Sequence, residues 1–286
     1  MTRISISVLS AILIQLFTKS CQGLTNDIIN SDANSTIQPV RTTTVETPAS
    51  KSPSFVVSLQ KYTEGHYEHI CGGAIIDEQF MITTAHCVLK PVVLFKSRLS
   101  VVGGSTQIFG KDSIRFRVIG MTTHPRFKFL KGYDILVIRV SPKFPIDGKR
   151  FSIINFKDAK RRSTGLDAVL LGWGRLGNRP YKPKNLESIP FKTIDNRVCL
   201  QTYRFKYLTE TEICAVHSNP KIGLRGACDG DSGAPLVDLN NNIIYGLLSY
   251  GRRACQPQKP YAFTRISAHV NWIQQQMANL MRNSGK

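Results

Sequence analysis

The feature that most constrains this chain is a series of short runs rich in Val, Ile, Leu and Phe, each closed off by turn residues. They fall at residues 55–59, 73–76, 116–119, 135–140, 168–171 and 243–248. β-Branched and aromatic side chains suit a pleated, half-buried strand. The turns come at short intervals, which favours an antiparallel β-sandwich or barrel over alternating βαβ units. At 286 residues, 42% hydrophobic and only 20% charged, the chain is long enough for one large all-β domain or two smaller ones. The C-terminal end departs from the pattern. Val270, Ile273, Met277, Leu280 and Met281 recur at helical spacing, which predicts an amphipathic helix packed on the domain.

The other end carries no β pattern. Arg3, a mostly apolar stretch at 4–17 too short to cross a bilayer, and small or neutral residues at 20–23 read as a secretory signal peptide over residues 1–23. No later segment reaches roughly 18 consecutive apolar residues, so the mature chain is expected to be secreted, extracellular and without a membrane span. Residues 24–52 are rich in Thr, Ser, Asn and Pro and lack aromatics, which marks a flexible leader. Its Asn34-Ser35-Thr36 is the only N-glycosylation sequon. Secretion also governs how the seven cysteines read. Cys21 sits at the cleavage point, leaving Cys71, Cys87, Cys199, Cys214, Cys228 and Cys255 as three pairs in an oxidising compartment. Spacing alone leaves the connectivity open. A zinc site has no CxxC or paired His/Cys spacing behind it, no acidic loop points to calcium, and no cofactor is implied.

The formal net charge is +19, with basic clusters at 157–162, 175–184 and Arg252-Arg253. One reading is a solvated surface that keeps a secreted protein in solution. The other is attraction to acidic glycans, anionic surfaces or acidic protein partners. Nucleic acid is not indicated, because no interleaved aromatics or recognition motif accompany the charge.

The chemistry concentrates in Ala227-Cys228-Asp229-Gly230-Asp231-Ser232-Gly233-Ala234-Pro235. A serine hydroxyl is a poor nucleophile unless a base takes its proton and donors stabilise the oxyanion that forms. Here the serine lies in a glycine-rich turn whose backbone N–H groups can converge on one oxygen. Two further segments stand upstream, Thr83-Thr84-Ala85-His86-Cys87 and Asp134-Ile135-Leu136-Val137. Together the three resemble the trypsin-like, chymotrypsin-fold serine protease family, in that family's order of His, Asp and Ser. The resemblance runs from about residue 55 to 277 and includes Gly172-Trp173-Gly174 and residues 260–266.

The resemblance implies an all-β fold of two packed antiparallel Greek-key β-barrels with a C-terminal α-helix, the catalytic cleft lying between the barrels. It implies disulfides 71–87, 199–214 and 228–255. It assigns Ser232 as nucleophile, His86 as the base and then acid, and Asp134 as the group that orients the imidazole. The N–H groups of Gly230 and Ser232 become the oxyanion hole, and Ser249 borders Asp134 and the substrate strand. The histidines at 66, 69, 124, 217 and 269 match no catalytic motif and read as surface or structural residues. For the substrate pocket the matching positions are Gly226, Ser249, Gly251 and Tyr261. Gly226 stands at the pocket base where an aspartate would select Lys or Arg, so that selectivity is not expected. Tyr261 replaces a customary glycine, so its ring is expected to leave room for small substrate side chains or to occlude the pocket.

Activation departs from the family pattern. Asp231 is the residue that pairs with a freed N-terminal amine, but the usual Ile-Val-Gly-Gly start is absent. One alignment starts at Ile37-Gln38-Pro39-Val40, where Pro39 removes a backbone donor and fixes φ. The other starts after Arg41, at Thr42-Thr43-Thr44-Val45. The domain reading is therefore signal 1–23, leader or propeptide 24–41 and protease domain 42–286. The expected function is a secreted serine endopeptidase acting on protein or peptide substrates. The alternative is a protease-like binding or regulatory protein with little activity.

Overall fold

A computed structural model describes residues 53–89, 98–159, 164–175, 183–203, 208–220, 226–251 and 255–283. Residues 1–52 lie outside these, and with them the signal segment, the leader, Cys21, Asn34 and both proposed starts. Parts of the basic clusters, at 160–162, 176–182 and 252–253, also lie outside.

Each of these apolar runs lies in a strand, and the pairings make two barrels. In the first, β1 (Val56–Thr63), β2 (His66–Asp77), β3 (Phe80–Thr83), β6 (Leu136–Ser141), β5 (Ile114–Thr123) and β4 (Leu99–Gly103) follow one another around the sheet. Antiparallel pairing of β1 with β4, Leu59 opposite Val101, closes it. In the second the order is β10 (Pro235–Asp238), β11 (Ile243–Tyr250), β12 (Tyr261–Arg265), β9 (Glu212–His217), β8 (Glu187–Ile194) and β7 (Asp167–Gly172). Pairing of Leu236 with Leu170 closes that one. Closure removes the exposed strand edges that an open sheet of this length would present.

Side-chain alternation follows the pleat. On β5, Phe116 and Val118 point into the core while Arg115 and Arg117 face out, and β8 alternates in the same way around Ile189 and Phe191. Phe116, Phe144 and Phe151 fill the first core, with ring centroids of 116 and 144 at 4.7 Å. Phe191 packs edge-on against Tyr261 and Phe263 in the second. Full burial of a side chain this size contributes about 1.5–3 kcal/mol relative to exposure.

β6 is buried along most of its length because a helix covers it. The C-terminal α-helix, Val270–Arg282, follows the second barrel in sequence but packs on the first. Arg139 of β6 donates to Leu280 O at 2.9 Å, and Leu280 lies against Gly120 of β5. Val270, Ile273, Met277 and Leu280 face the core as the periodicity predicts. Met281 does not: at the last turn it rotates off that face and stays half exposed. A second, shorter helix spans Asn196–Tyr203.

The disulfides join Cys71 to Cys87, Cys199 to Cys214 and Cys228 to Cys255. Closing loops of about 15 residues stabilises a fold by roughly 3 kcal/mol each. The barrels meet where the serine loop crosses β2. Gly72 N donates to Ser232 O at 2.8 Å, and Gly72 O accepts from Thr83 Oγ1 at 2.7 Å. Trp173 Nε1, after β7, donates to Thr106 O of the first barrel at 2.8 Å. Among the described residues no helix is long and apolar enough to cross a membrane.

Candidate active site

His86 occupies a 3-10 turn, Ala85–Val88, immediately after β3, and the Cys71–Cys87 disulfide ties that turn to β2. Both sulfurs near the imidazole belong to this disulfide, so the group has no thiolate to offer a metal. Asp134 lies two residues before β6 and is 6% exposed. Its backbone is aimed by Tyr133, which holds φ at +58°, and by Thr264 Oγ1, which donates to Asp134 O at 2.6 Å.

Three donors converge on the Asp134 carboxylate. Oδ1 accepts from His86 N at 2.9 Å, while Oδ2 accepts from His86 Nδ1 at 2.7 Å and from Ser249 Oγ at 2.5 Å. A carboxylate only accepts, so Nδ1 carries the ring proton and, in the neutral ring, Nε2 offers a lone pair. Phe129, largely exposed, stands edge-on to the imidazole with centroids 6.3 Å apart.

Ser232 follows a turn in which Gly230 adopts φ +101°, a region that favours glycine. Asp231 N donates back to Cys228 O at 2.9 Å and Ala234 N to Asp231 O at 2.9 Å. The amides of Gly230 and Ser232, by contrast, donate to no acceptor among the described residues. No hydrogen bond joins Ser232 Oγ to His86 among the described residues; such bonds are often long before substrate binds. Ser232 does line the cleft described below.

The loop is held from beneath by Asp231, 3% exposed. Its Oδ1 accepts from Gly174 N at 2.7 Å and its Oδ2 from Cys228 N at 2.9 Å. A Cβ at Gly172 or Gly174 would lie 2.2 Å from atoms of this carboxylate, which gives the Gly-Trp-Gly segment its reason: the glycines make room for Asp231. A third support was not legible in the sequence. Buried His69 contacts Gly230 O through Nε2 at 2.7 Å and Ser58 Oγ through Nδ1 at 2.8 Å. The carbonyl requires Nε2 to donate, so Ser58 donates to Nδ1, and the chain of bonds pins the peptide that follows Gly230.

Beside Ser232 lies a cleft of about 340 Å³ whose walls include Ala227, Ser249, Tyr250, Gly251 and Tyr261. Tyr261 is 2% exposed and its hydroxyl donates to Gln256 O at 3.1 Å. The ring fills the space between two glycines. A Cβ at Gly251 would meet its Cδ1 at 2.5 Å, and one at Gly226 would meet its hydroxyl at 2.4 Å. Gly226 therefore sits behind the phenol and is not part of the cleft lining. At the rim, Arg175 forms an ion pair with Asp229, and Arg175 N donates to Asp229 O at 3.0 Å. In the sequence Arg175 read only as one member of a basic cluster.

The trypsin family model matches residues 42–273. Trypsin eta of Drosophila melanogaster is 27% identical over 227 residues, covering 78% of this chain and 83% of that protein. Chymotrypsin-2 of Vespa crabro is 31% identical over 210 residues, covering 72% of this chain and 88% of the wasp protein. Among solved structures, neuropsin, a serine protease expressed in the limbic system of mouse brain, superposes with a TM-score of 0.67 at 25% identity. That alignment covers 79% of this chain and 95% of neuropsin.

Proposed function

This chain belongs to the trypsin family of serine endopeptidases, and from that premise we propose that Ser232, His86 and Asp134 are its catalytic triad. Ser232 Oγ attacks the scissile carbonyl carbon as His86 Nε2 takes its proton. The oxyanion accepts hydrogen bonds from Gly230 N and Ser232 N. The C–N bond then breaks as His86 returns the proton to the leaving amine, which leaves an ester on Ser232. Water attacks that ester, gives its proton to His86, and the proton passes back to Ser232 Oγ as the acid departs. Asp134 keeps the imidazole in the required tautomer and stabilises its charged form. The observation that carries this reading is the Asp134 carboxylate, held by both the ring and the backbone of His86 and by Ser249.

The same proposal extends to specificity. The cleft beside Ser232 ends at the Tyr261 phenol, so it accepts small side chains next to the scissile bond and excludes Lys and Arg. Secretion by the 1–23 signal, glycosylation at Asn34 and release of the 24–41 leader complete the reading. Activation proceeds by cleavage after Arg41. The family match begins at residue 42, and the freed Thr42 amine is a cation for the buried Asp231 carboxylate. The charge of +19 draws the secreted enzyme to acidic glycans or anionic surfaces.

A fluorophosphonate probe tests the triad. Secreted, processed chain is expected to label on Ser232, to lose label in Ser232→Ala, and to cleave peptides with Ala or Gly at the site better than peptides with Arg. Absence of labelling in a chain shown to start at Thr42 overturns the proposal.

A further inference from the structure

One more buried carboxylate stands near the cleft, and the proposed mechanism gives it no task. Glu212 opens β9, is 2% exposed and forms no ion pair among the described residues. A carboxylate taken out of water needs donors in its place. Both oxygens have them. Oε1 accepts from the Tyr250 hydroxyl at 2.8 Å, and Oε2 accepts from Thr209 N at 2.9 Å and Thr209 Oγ1 at 3.1 Å.

The two oxygens lead to different parts of the site. On one side, Tyr250 lines the cleft beside Ser232. The pairing of β11 with β12 slips between Leu248 and Tyr250, so Ser249 is the extra residue of a bulge. Bulges re-aim side chains, and here the Ser249 hydroxyl turns to Asp134 while the Tyr250 phenol reaches across β12 to Glu212. On the other side, Thr209 Oγ1 contacts Thr211 Oγ1, which accepts from Tyr133 N at 3.3 Å. Thr209 gives its hydroxyl proton to Glu212, so Thr211 donates to Thr209, and the chain runs from the Tyr133 amide through two threonines to Oε2. Gly132 leaves room for it: a Cβ there would fall 2.4 Å from Thr209 Oγ1 and 2.6 Å from Thr211 Oγ1.

We infer that Glu212 is a positioning residue for substrate recognition: it holds the Tyr250 phenol as a fixed wall of the cleft and keys that wall to the backbone entering Asp134. A ring tethered at its hydroxyl keeps one orientation, so a peptide meets a preformed wall and less side-chain freedom is lost on binding. Glu212 touches no substrate itself and acts through Tyr250. The inference rests on the proposal that the cleft beside Ser232 takes the substrate, and it is independent of whether Ser232 turns that substrate over.

Calorimetry with an alanine-rich hexapeptide on secreted, processed Ser232→Ala chain reads recognition without turnover. Tyr250→Phe, which keeps the ring and removes its tether, is expected to weaken binding ~10-fold. With Ser232 restored, KM rises by as much while kcat stays within ~2-fold. Glu212→Leu weakens binding at least ~10-fold, and adding Tyr250→Phe to it costs less than ~2-fold more, because the two act as one unit. Glu212→Gln recovers binding to within ~3-fold, since its oxygen accepts from Thr209 and its nitrogen donates to the phenol oxygen. Tyr245→Phe is the control: Tyr245 is buried on the same strand, its hydroxyl donates to Asp238 Oδ2 at 2.9 Å, and it lines no part of the cleft. It should change affinity less than ~2-fold. Equal losses from Tyr245→Phe and Tyr250→Phe, additive losses from Glu212→Leu and Tyr250→Phe, or no peptide binding at all overturns the inference. If the peptide results hold but the Ser232 chain takes no fluorophosphonate, the triad fails and the positioning role stands; labelling with binding unmoved by Tyr250→Phe gives the reverse. Should Glu212→Leu not fold, the Tyr250 and Tyr245 variants decide the matter alone.

Discussion

The two halves of the active site are built on different terms. The half proposed to be catalytic, His86 and Asp134 on the first barrel with the Ser232 loop against them, is tied down at every member. Disulfides brace both loops, Asp134 takes three side-chain or backbone donors, and Asp231 is wedged against Gly172 and Gly174. The half proposed for recognition is a single cleft beside Ser232, and one ring, Tyr261, fills the space behind it. Chemistry thus depends on many coupled contacts and selection on very few. A change in the first half should be costly, and a change in the second should redirect the enzyme without stopping it.

The sharpest way to break that comparison is Asp134→Asn. The amide keeps the size but forces the wrong tautomer on His86, since one end of the group becomes a donor. A loss of about 10⁴ in kcat with little change in KM is expected. Steady-state kinetics on a small peptide amide checks it; a loss below about tenfold would mean Asp134 does not orient the base.

Gly174→Ala probes the catalytic half from outside the triad. The added methyl falls 2.2 Å from Asp231 Cγ, so the carboxylate must move and release the Gly174 and Cys228 amides. Asp231 lies between the Gly230 and Ser232 amides proposed as the oxyanion hole, and their geometry moves with it. A loss of about 10²–10³ in kcat is expected, the usual cost of a missing oxyanion donor. Near-wild-type kcat would show that the loop tolerates displacement of its carboxylate.

Tyr261→Gly tests the recognition half. Deleting the ring should open the space between Gly226 and Gly251 and raise kcat/KM for substrates with Phe or Leu at the site by about 10–10²-fold. Activity on alanine substrates should stay within a few-fold. The fold itself loses about 3–5 kcal/mol by denaturant unfolding, because a large buried aromatic is gone. Unchanged selectivity would place the substrate pocket elsewhere.

How much of this was legible in the sequence also divides along the same line. Ser232, His86 and Asp134 each sit in a short local motif, and the short apolar runs and the helical spacing after Val270 are local signals too. What escaped were features made by distant segments. β8 runs through Pro190, which pairs with Val169 while its side chain faces out, so its strand character comes from the partner. His69 looked like any histidine in a polar hairpin, and only closure of the first barrel against the serine loop brings it to Gly230 O. The glycines of Gly172-Trp173-Gly174 were visible, but their reason is a carboxylate 57 residues away from Gly174. Tyr261 could be placed because a family resemblance supplied the missing third dimension.

The smallest effect is expected at the rim, where the halves touch. Arg175 follows the glycine segment that makes room for Asp231, and its side chain pairs with Asp229, the residue before Gly230. Asp229 is largely exposed at 77%, so water screens the pair and its contribution to stability is about 0–1 kcal/mol. The backbone bond from Arg175 N to Asp229 O survives any substitution at 175 except proline. Arg175→Ala should therefore leave the Ser232 loop in place and kcat within about twofold. It uncovers the Asp229 carboxylate at the mouth of the cleft, so KM should fall for peptides with Lys or Arg beyond the scissile bond and rise for acidic ones, by a few-fold at most and less at high salt. A kcat loss comparable to that of Gly174→Ala would mean that the rim pair belongs to the catalytic half, and that the boundary between chemistry and recognition lies further out than Gly230.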